Sequence, residues 1–202
     1  MCCRYYFGDD ESDGMGAAIL RIMEQNYPGA FKTGEIHPGD AAPAIIRKQD
    51  KIVAVPAVFG FPGTRGSQLL LNARSETAAQ KRSFADCMAD RRILLPASGF
   101  FEWGRDPQKT KYLFTVDRGA LLYLCGIYRV IDGLRRFVIF TREANESMAE
   151  THDRMPVIVG ADAVRSYLTD FSAAMELLAA SAPALTRRPA GNETEGGSHA
   201  DP

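Results

Sequence analysis

Histidine is scarce, with 3 among 202 residues and no two close in sequence. A histidine-based metal site therefore has little support, and no metal is expected. The four cysteines, Cys2, Cys3, Cys87 and Cys125, make no Cys-x-x-Cys pair. That excludes a zinc ribbon and a thioredoxin-type motif. No apolar run approaches the ~18 residues a membrane helix needs; the longest, Ile52 to Phe61, carries Pro56 and Gly60 inside it. No membrane partner is expected. Neither charge sign dominates: 24 basic and 25 acidic residues leave a net charge of −1. A globally basic nucleic-acid binder is excluded, a local basic groove is not. No glycine fingerprint and no regular βαβ alternation is present, and no cofactor is expected. The start, Met-Cys-Cys-Arg-Tyr-Tyr-Phe, turns acidic instead of continuing into the apolar stretch of a signal peptide. A reducing cytosol is the expected compartment and free thiols the expected state.

What remains is a chain of one domain's length with ordinary proportions, 46% hydrophobic and 24% charged, enough to build a core without staples. Between residues 65 and 92, six basic residues (Arg65, Arg74, Lys81, Arg82, Arg91, Arg92) face three acidic ones. This local excess is the candidate basic groove. Apolar spacing predicts helices over 14–26 (with Asp13 as N-cap), 77–89, 144–151, 161–168 and 172–180. Short β-like runs fill the middle, over 44–46, 52–59, 68–71, 93–95, 100–103, 112–116, 121–128 and 136–141. This is an α+β pattern: a single domain with a curved, mostly antiparallel sheet, barrel-like, flanked by helices. Residues 1–183 read as that domain. Residues 184–202, polar and rich in Gly, Pro and small side chains, read as a flexible tail.

Four stretches carry possible chemistry. Loss of Met1 would leave Cys2 as a 1,2-aminothiol. An α-amine has a pKa of about 7.7–8.0 and is partly unprotonated at neutral pH. It can condense with an aldehyde, after which the thiol closes a five-membered thiazolidine. The same residue can alternatively act as an N-terminal hydrolase nucleophile with its own amine as base. In Pro96-Ala-Ser-Gly-Phe-Phe-Glu-Trp-Gly, Glu102 sits among aromatics, a poorly solvated setting suited to acid–base work; Trp103, the sole tryptophan, is expected in the core. In Thr151-His-Asp-Arg-Met-Pro-Val, His152 follows a helical stretch, Pro156 forces an extended exit, and a partly exposed His there can move protons. In Leu69-Leu-Leu-Asn-Ala-Arg-Ser-Glu-Thr, Asn72 and Arg74 stand at a strand-to-helix junction, where side chains meet phosphates.

In this order, Met-Cys-x-Arg, Asn-Ala-Arg-x-Glu-Thr, Pro-Ala-x-Gly-Phe-aromatic-Glu-Trp and His-Asp-Arg-Met-Pro-Val resemble the SOS-response-associated peptidase (SRAP) family, the abasic-site processing proteins. The likeness covers roughly residues 2 to 168. It implies a monomer that binds single-stranded DNA containing abasic sites, in the cytoplasm and on the nucleoid, and crosslinks to the lesion. It also implies the roles. Cys2 is the nucleophile, Asn72 holds its amine, Glu102 serves acid–base steps and release of Met1, and His152 moves protons during sugar opening. Arg4, Arg74 and Arg82 contact DNA, and Phe59 and Phe61, flanking Gly60, stack on or wedge between bases. The sequence departs from the family pattern at Cys3, where glycine is usual, at Val58-Phe-Gly-Phe-Pro, and at Glu35-Ile-His-Pro, which sets an acid where DNA would pass. Two other functions fit parts of the chain: a cysteine N-terminal hydrolase such as a glutamine amidotransferase, and a non-catalytic single-strand-binding module.

Overall fold

The protein's structure, a computed structural model, describes residues 3–8, 14–63, 68–116 and 120–191. Its largest sheet closes on itself. Strands β3 (Ala41–Lys48) and β4 (Lys51–Phe59) form a hairpin registered from Ala41↔Val58 to Lys48↔Lys51. Strand β8 (Arg92–Ala97) pairs with β3, β11 (Leu122–Ile131) pairs with β8, and β12 (Leu134–Glu143) pairs with both β11 and β4. The ring β12–β4–β3–β8–β11 has no free edge to expose. Every residue of β8 is buried, which accounts for its near-continuous apolar run. The ring is filled by side chains such as Phe59, stacked on Phe137 at 4.9 Å between centroids. The β11–β12 turn is Asp132-Gly133, with φ of 52° and 75°. Two positive φ values match the twist of a tight hairpin.

A second sheet runs in the order β15–β10–β9–β1–β2, with β1 Arg4–Phe7, β2 Gly34–Ile36, β9 Gly99–Trp103, β10 Lys111–Thr115 and β15 Thr186–Pro189. Strand β8 passes into β9 through Ser98, whose N–H donates to Tyr6 O at 2.8 Å. One segment thus serves both sheets. Strands β5 (Phe61–Pro62) and β6 (Leu69–Leu70) pair with each other. Strands β7 (Asn72–Arg74) and β13 (Arg154–Pro156) attach to the C-terminal half of β12, and β14 (Ile158–Val159) to β11. Helices α1 (Met15–Asn26), α2 (Ser75–Ala78), α3 (Arg82–Asp90), α4 (Glu146–Ala149), α5 (Val164–Thr169) and α6 (Phe171–Ala179) flank the sheets. The fold is α+β with a curved, mostly antiparallel, barrel-like core, as the sequence pattern implies. The β4–β12 and β7–β12 pairs are parallel.

Several local readings change. The helix expected over 77–89 is two helices, because Lys81 is extended (ψ 118°). The break turns Phe84, Cys87 and Met88 into the core, where each is at most 6% exposed. At the start of α1 the capping position is Gly14, with φ 70°; the expected cap, Asp13, lies outside the described residues. Arg92 belongs to no basic groove. It is 4% exposed and donates to Tyr167 O and Met88 O at 2.6 Å, Ala89 O at 2.7 Å and Leu168 O at 3.2 Å. One guanidinium caps the carbonyl ends of both α3 and α5, where helix dipoles favour a cation. Finally, Thr186–Pro189, within the stretch read as a tail, is a paired edge strand. Its side chains are exposed, so no apolar alternation marks it; backbone bonds hold it. The chain leading into it is also anchored, by Asn145 Nδ2 on Pro183 O at 2.8 Å and Leu185 N on Ser147 Oγ at 3.1 Å.

Candidate active site between the two sheets

Strand alternation and register assign two faces to the five-stranded sheet. Residues Tyr5, Phe100 and Phe114, all fully buried, define the inner face. Register places Glu102 on that face, opposite Tyr112, and Glu102 is 3% exposed. On the other side, the β1–β9 register (Arg4↔Phe101, Tyr5↔Phe100) carried one step outward sets Cys3 against Glu102. Burial and then the Glu102 carboxylate push the Cys3 thiol above its ordinary pKa. The Pro-Ala-Ser-Gly-Phe-Phe-Glu-Trp motif therefore delivers a carboxylate to an almost dry wall, between a thiol and a phenol. A carboxylate there can take and return a proton without competition from bulk water.

The segments that carry Asn72 and His152 both flank β12. Strand β7 lies parallel to β12 with Asn72 opposite Ile139, and β13 lies antiparallel with Arg154 opposite Glu143. Arg154 joins the two flanks through a bidentate pair to Glu76, Nη1–Oε1 at 2.7 Å and Nη2–Oε2 at 2.9 Å. That hydrogen-bonded pair holds the Glu76 carboxyl below its usual pKa. The Oδ1 atom of Asn72 is buried and has no hydrogen-bond partner among the described residues. A buried acceptor of that kind is costly unless something donates to it. His152 accepts the Arg154 N–H at Nδ1, at 2.9 Å. Its neutral form therefore carries the proton on Nε2 and presents a donor. The next residue, Asp153, is ion-paired to Arg105, three positions beyond Glu102. The Arg105 hydrogen bond and charge pull the Asp153 carboxyl below its ordinary pKa. These links bring the asparagine, glutamate and histidine segments together.

The outer face of the same sheet carries Arg4, Glu35, Trp103 and Lys111. Glu35 accepts from Lys111 Nζ at 2.6 Å and from Arg4 Nη1 at 3.1 Å, with His37 Nε2 at 3.3 Å. Burial alone would raise the Glu35 carboxyl; the hydrogen bonds and charges of Lys111 and Arg4 bring it below its usual value instead. The Arg4 guanidinium lies 5.0 Å from the Trp103 ring and Lys111 Nζ lies 4.2 Å from the Phe101 ring. Trp103 is half-buried on this face, not in the core where it was expected. The acid noted in the Glu35-Ile-His-Pro stretch is thus matched by two or three cations.

Other expected site residues fall elsewhere. Phe59 is fully buried and Phe61 is 2% exposed. Phe59 packs on Phe137 and Tyr5, and Phe61 on Phe84. Neither ring is available to a base: closure of the barrel covers Phe59, and Phe84 of α3 with Arg129 covers Phe61. Arg74 is exposed at the start of α2. Arg82 opens α3, but its side chain lies outside the description, and Cys2 lies outside the described residues altogether. Sequence reasoning missed Glu76, Arg105 and Tyr112 as supports of the site. Their partners are 78 and 48 residues away or across a strand, and no local spacing signals them. Among the described residues no group of three or more His, Cys, Asp or Glu is placed to hold a metal ion, and no helix is long and apolar enough to cross a membrane.

Known proteins resemble this chain along nearly all its length. The sequence model of the family described as SOS response associated peptidase (SRAP) matches residues 1–192. The abasic site processing protein YedK of Escherichia coli (strain K12) is 26% identical over 181 residues, covering 83% of this chain and 79% of that protein. The abasic site processing protein YoaM of Bacillus subtilis (strain 168) is 34% identical over 106 residues, 49% of this chain, and the match spans about half of that relative, 47%. Among solved structures, a Bordetella bronchiseptica protein superposes with a TM-score of 0.72 at 22% identity, covering 94% of this chain and 100% of that one. A phage-related protein of the same organism gives 0.70 at 24%, covering 94% of each chain. At those identities the likeness speaks for the fold.

Proposed function

Because the chain belongs to the SOS response associated peptidase (SRAP) family, we propose that it binds single-stranded DNA and forms a covalent thiazolidine with abasic sites through Cys2. Met1 is removed first, with Glu102 as the acid–base group. The abasic sugar then opens to its aldehyde. The Cys2 amine adds to that carbon and water leaves, giving a Schiff base; the Cys2 thiol adds to the same carbon and closes the ring. The net change is the loss of one water. In this scheme Asn72 Oδ1 accepts from the amine, His152 Nε2–H supports the departing ring oxygen of the sugar, and Glu102 shuttles the protons. Arg4 and Arg74 face phosphates, and the closed ring shields the lesion from strand cleavage.

The observation that carries this reading is the buried, unpartnered Asn72 Oδ1, on a segment tied to the His152 turn by Arg154–Glu76. An acceptor kept dry and open suits an amine that arrives only after Met1 has gone. Intact-protein mass tests the reading, before and after incubation with a single-stranded oligonucleotide carrying one abasic site. The expected result is loss of Met1, then an adduct whose mass is protein plus oligonucleotide less one water. A protein without Met1 that forms no adduct, but releases ammonia from glutamine, would make it a hydrolase instead.

Glu35 is expected to weaken DNA binding, since its carboxylate occupies Arg4 and Lys111. Glu35→Gln removes that competition. Affinity for an undamaged oligonucleotide should rise several-fold at low salt, and the slope of log K against log salt should steepen by up to about 0.7 per phosphate gained. Fluorescence anisotropy across a salt series reads both. Weaker binding would mean that Glu35 organises the two cations for DNA.

A further inference from the structure

Strand β15 reaches the site from the far end of the chain. Its register sets Arg187 opposite Phe114 and Pro189 opposite Tyr112. Phe114 and Tyr112 share the inner face with Glu102, so Arg187 points to that face. Its guanidinium carbon lies 4.7 Å from the centre of the Tyr112 ring. Nη1 donates to Thr151 Oγ1 at 3.0 Å, and Nη2 to Glu150 Oε2 at 3.4 Å. Thr151 is 2% exposed and immediately precedes His152. One planar side chain therefore joins the wall that carries Glu102 to the turn that carries His152. Its guanidinium lies over the phenol ring while Nη1 holds the threonine, and of the basic side chains arginine is the one whose planar fork suits both. Asp153–Arg105 holds the turn on the other side of His152. Glu76–Arg154 holds the residue whose N–H fixes the imidazole.

We propose that Arg187 is a positioning residue: by fixing Thr151 against Tyr112 it sets where His152 stands relative to Glu102, and β15 is thereby part of the site. The inference rests on the function proposed above in assigning work to His152, but its geometry can be tested without it. Four folded proteins are compared: wild type, Arg187→Ala, Arg187→Lys and Arg188→Ala. Arg188 lies on the same strand but on the opposite face, beside Leu113, so its loss removes the same charge without touching Thr151. Circular dichroism and thermal melts confirm folding.

The first readout is the ¹⁵N signature of the His152 ring in the free protein; three histidines make assignment tractable. Wild type and Arg188→Ala should show the Nε2–H form, and Arg187→Ala a mixture. The second readout separates affinity for an undamaged oligonucleotide from the single-turnover rate of adduct formation on an abasic one. Arg187→Ala should slow the rate about tenfold, the scale on which a small misplacement of a reacting group acts, with affinity changed less than twofold. Arg187→Lys, which keeps a donor but not the planar fork, should recover part of the rate. An Arg187→Ala protein with unchanged ring signature and rate overturns the proposal. So does a loss confined to affinity and matched by Arg188→Ala, which would make both arginines phosphate contacts. Absence of an adduct with wild type would overturn the proposed function alone, and the ring signature would still decide the role of Arg187.

Discussion

Under the proposed function, Cys2→Ala is expected to abolish the stable DNA adduct while leaving Met1 removal and DNA binding in place. The α-amine remains, so an imine with the open sugar can still form. Without a thiol on the next carbon it cannot close a five-membered ring, and the imine has two other fates. It hydrolyses back, or it loses a proton from the neighbouring sugar carbon and expels the 3′ phosphate. The variant should therefore show more strand scission than wild type, and an adduct only when borohydride traps the imine. Cys3 is no substitute. Ring closure from its thiol would enclose the peptide bond between residues 2 and 3, which is planar and trans, and the Cys3 thiol is pushed toward its protonated form by burial and Glu102. Denaturing gels with and without borohydride, together with intact mass, read the result. A stable adduct from Cys2→Ala without reductant would remove Cys2 from the mechanism.

Arg92→Ala should cost about 3 kcal/mol of stability or more, since a buried acceptor left without its donor costs about 1–3 kcal/mol. Four carbonyls at two helix ends lose their donor together, and a cavity opens between α3, α5 and β8. For a chain of this size the loss corresponds to a fall in melting temperature of roughly 10 °C. Arg92→Lys should recover part of it, since an ammonium keeps the charge but not the fork that reaches both helices. Thermal denaturation followed by circular dichroism, at matched protein concentration, measures the difference. A shift within 2 °C, under about 1 kcal/mol, would mean that solvent or relaxed helix ends replace the guanidinium.

Arg92 also shows where sequence reasoning stops. It stands in a basic run, and the local pattern gives it the same standing as Arg91 or Arg82; only the meeting of α3, α5 and β8 makes it structural. The Phe59 and Phe61 pair is similar. The spacing put two aromatics around a glycine, but their burial depends on β12 closing the ring over Phe59 and on α3 packing over Phe61. Strand β15 has four exposed side chains and gains order from backbone bonds to β10, which composition does not encode. The segments around Asn72, Glu102 and His152 were legible because each is a local motif at a junction: a strand end before a helix, an aromatic strand holding one acid, a helix end before an extended proline. What the motifs could not say is how they meet. That information sits in pairs such as Arg154–Glu76, Asp153–Arg105 and Arg187–Thr151.

The pairing of β1 with β9 has a consequence for the order of events during synthesis. Arg4 is hydrogen-bonded through its strand to Phe101, about a hundred residues further along the chain. At ribosomal speeds of roughly 5–20 residues per second, β1 waits on the order of 5–20 s before the strand that receives it has been made. The wall around Glu102 is completed later still, when β10 and β15 add to it. Any processing of Met1 that uses Glu102 is therefore a step of the folded protein, whereas an aminopeptidase working on the nascent chain acts before the site exists.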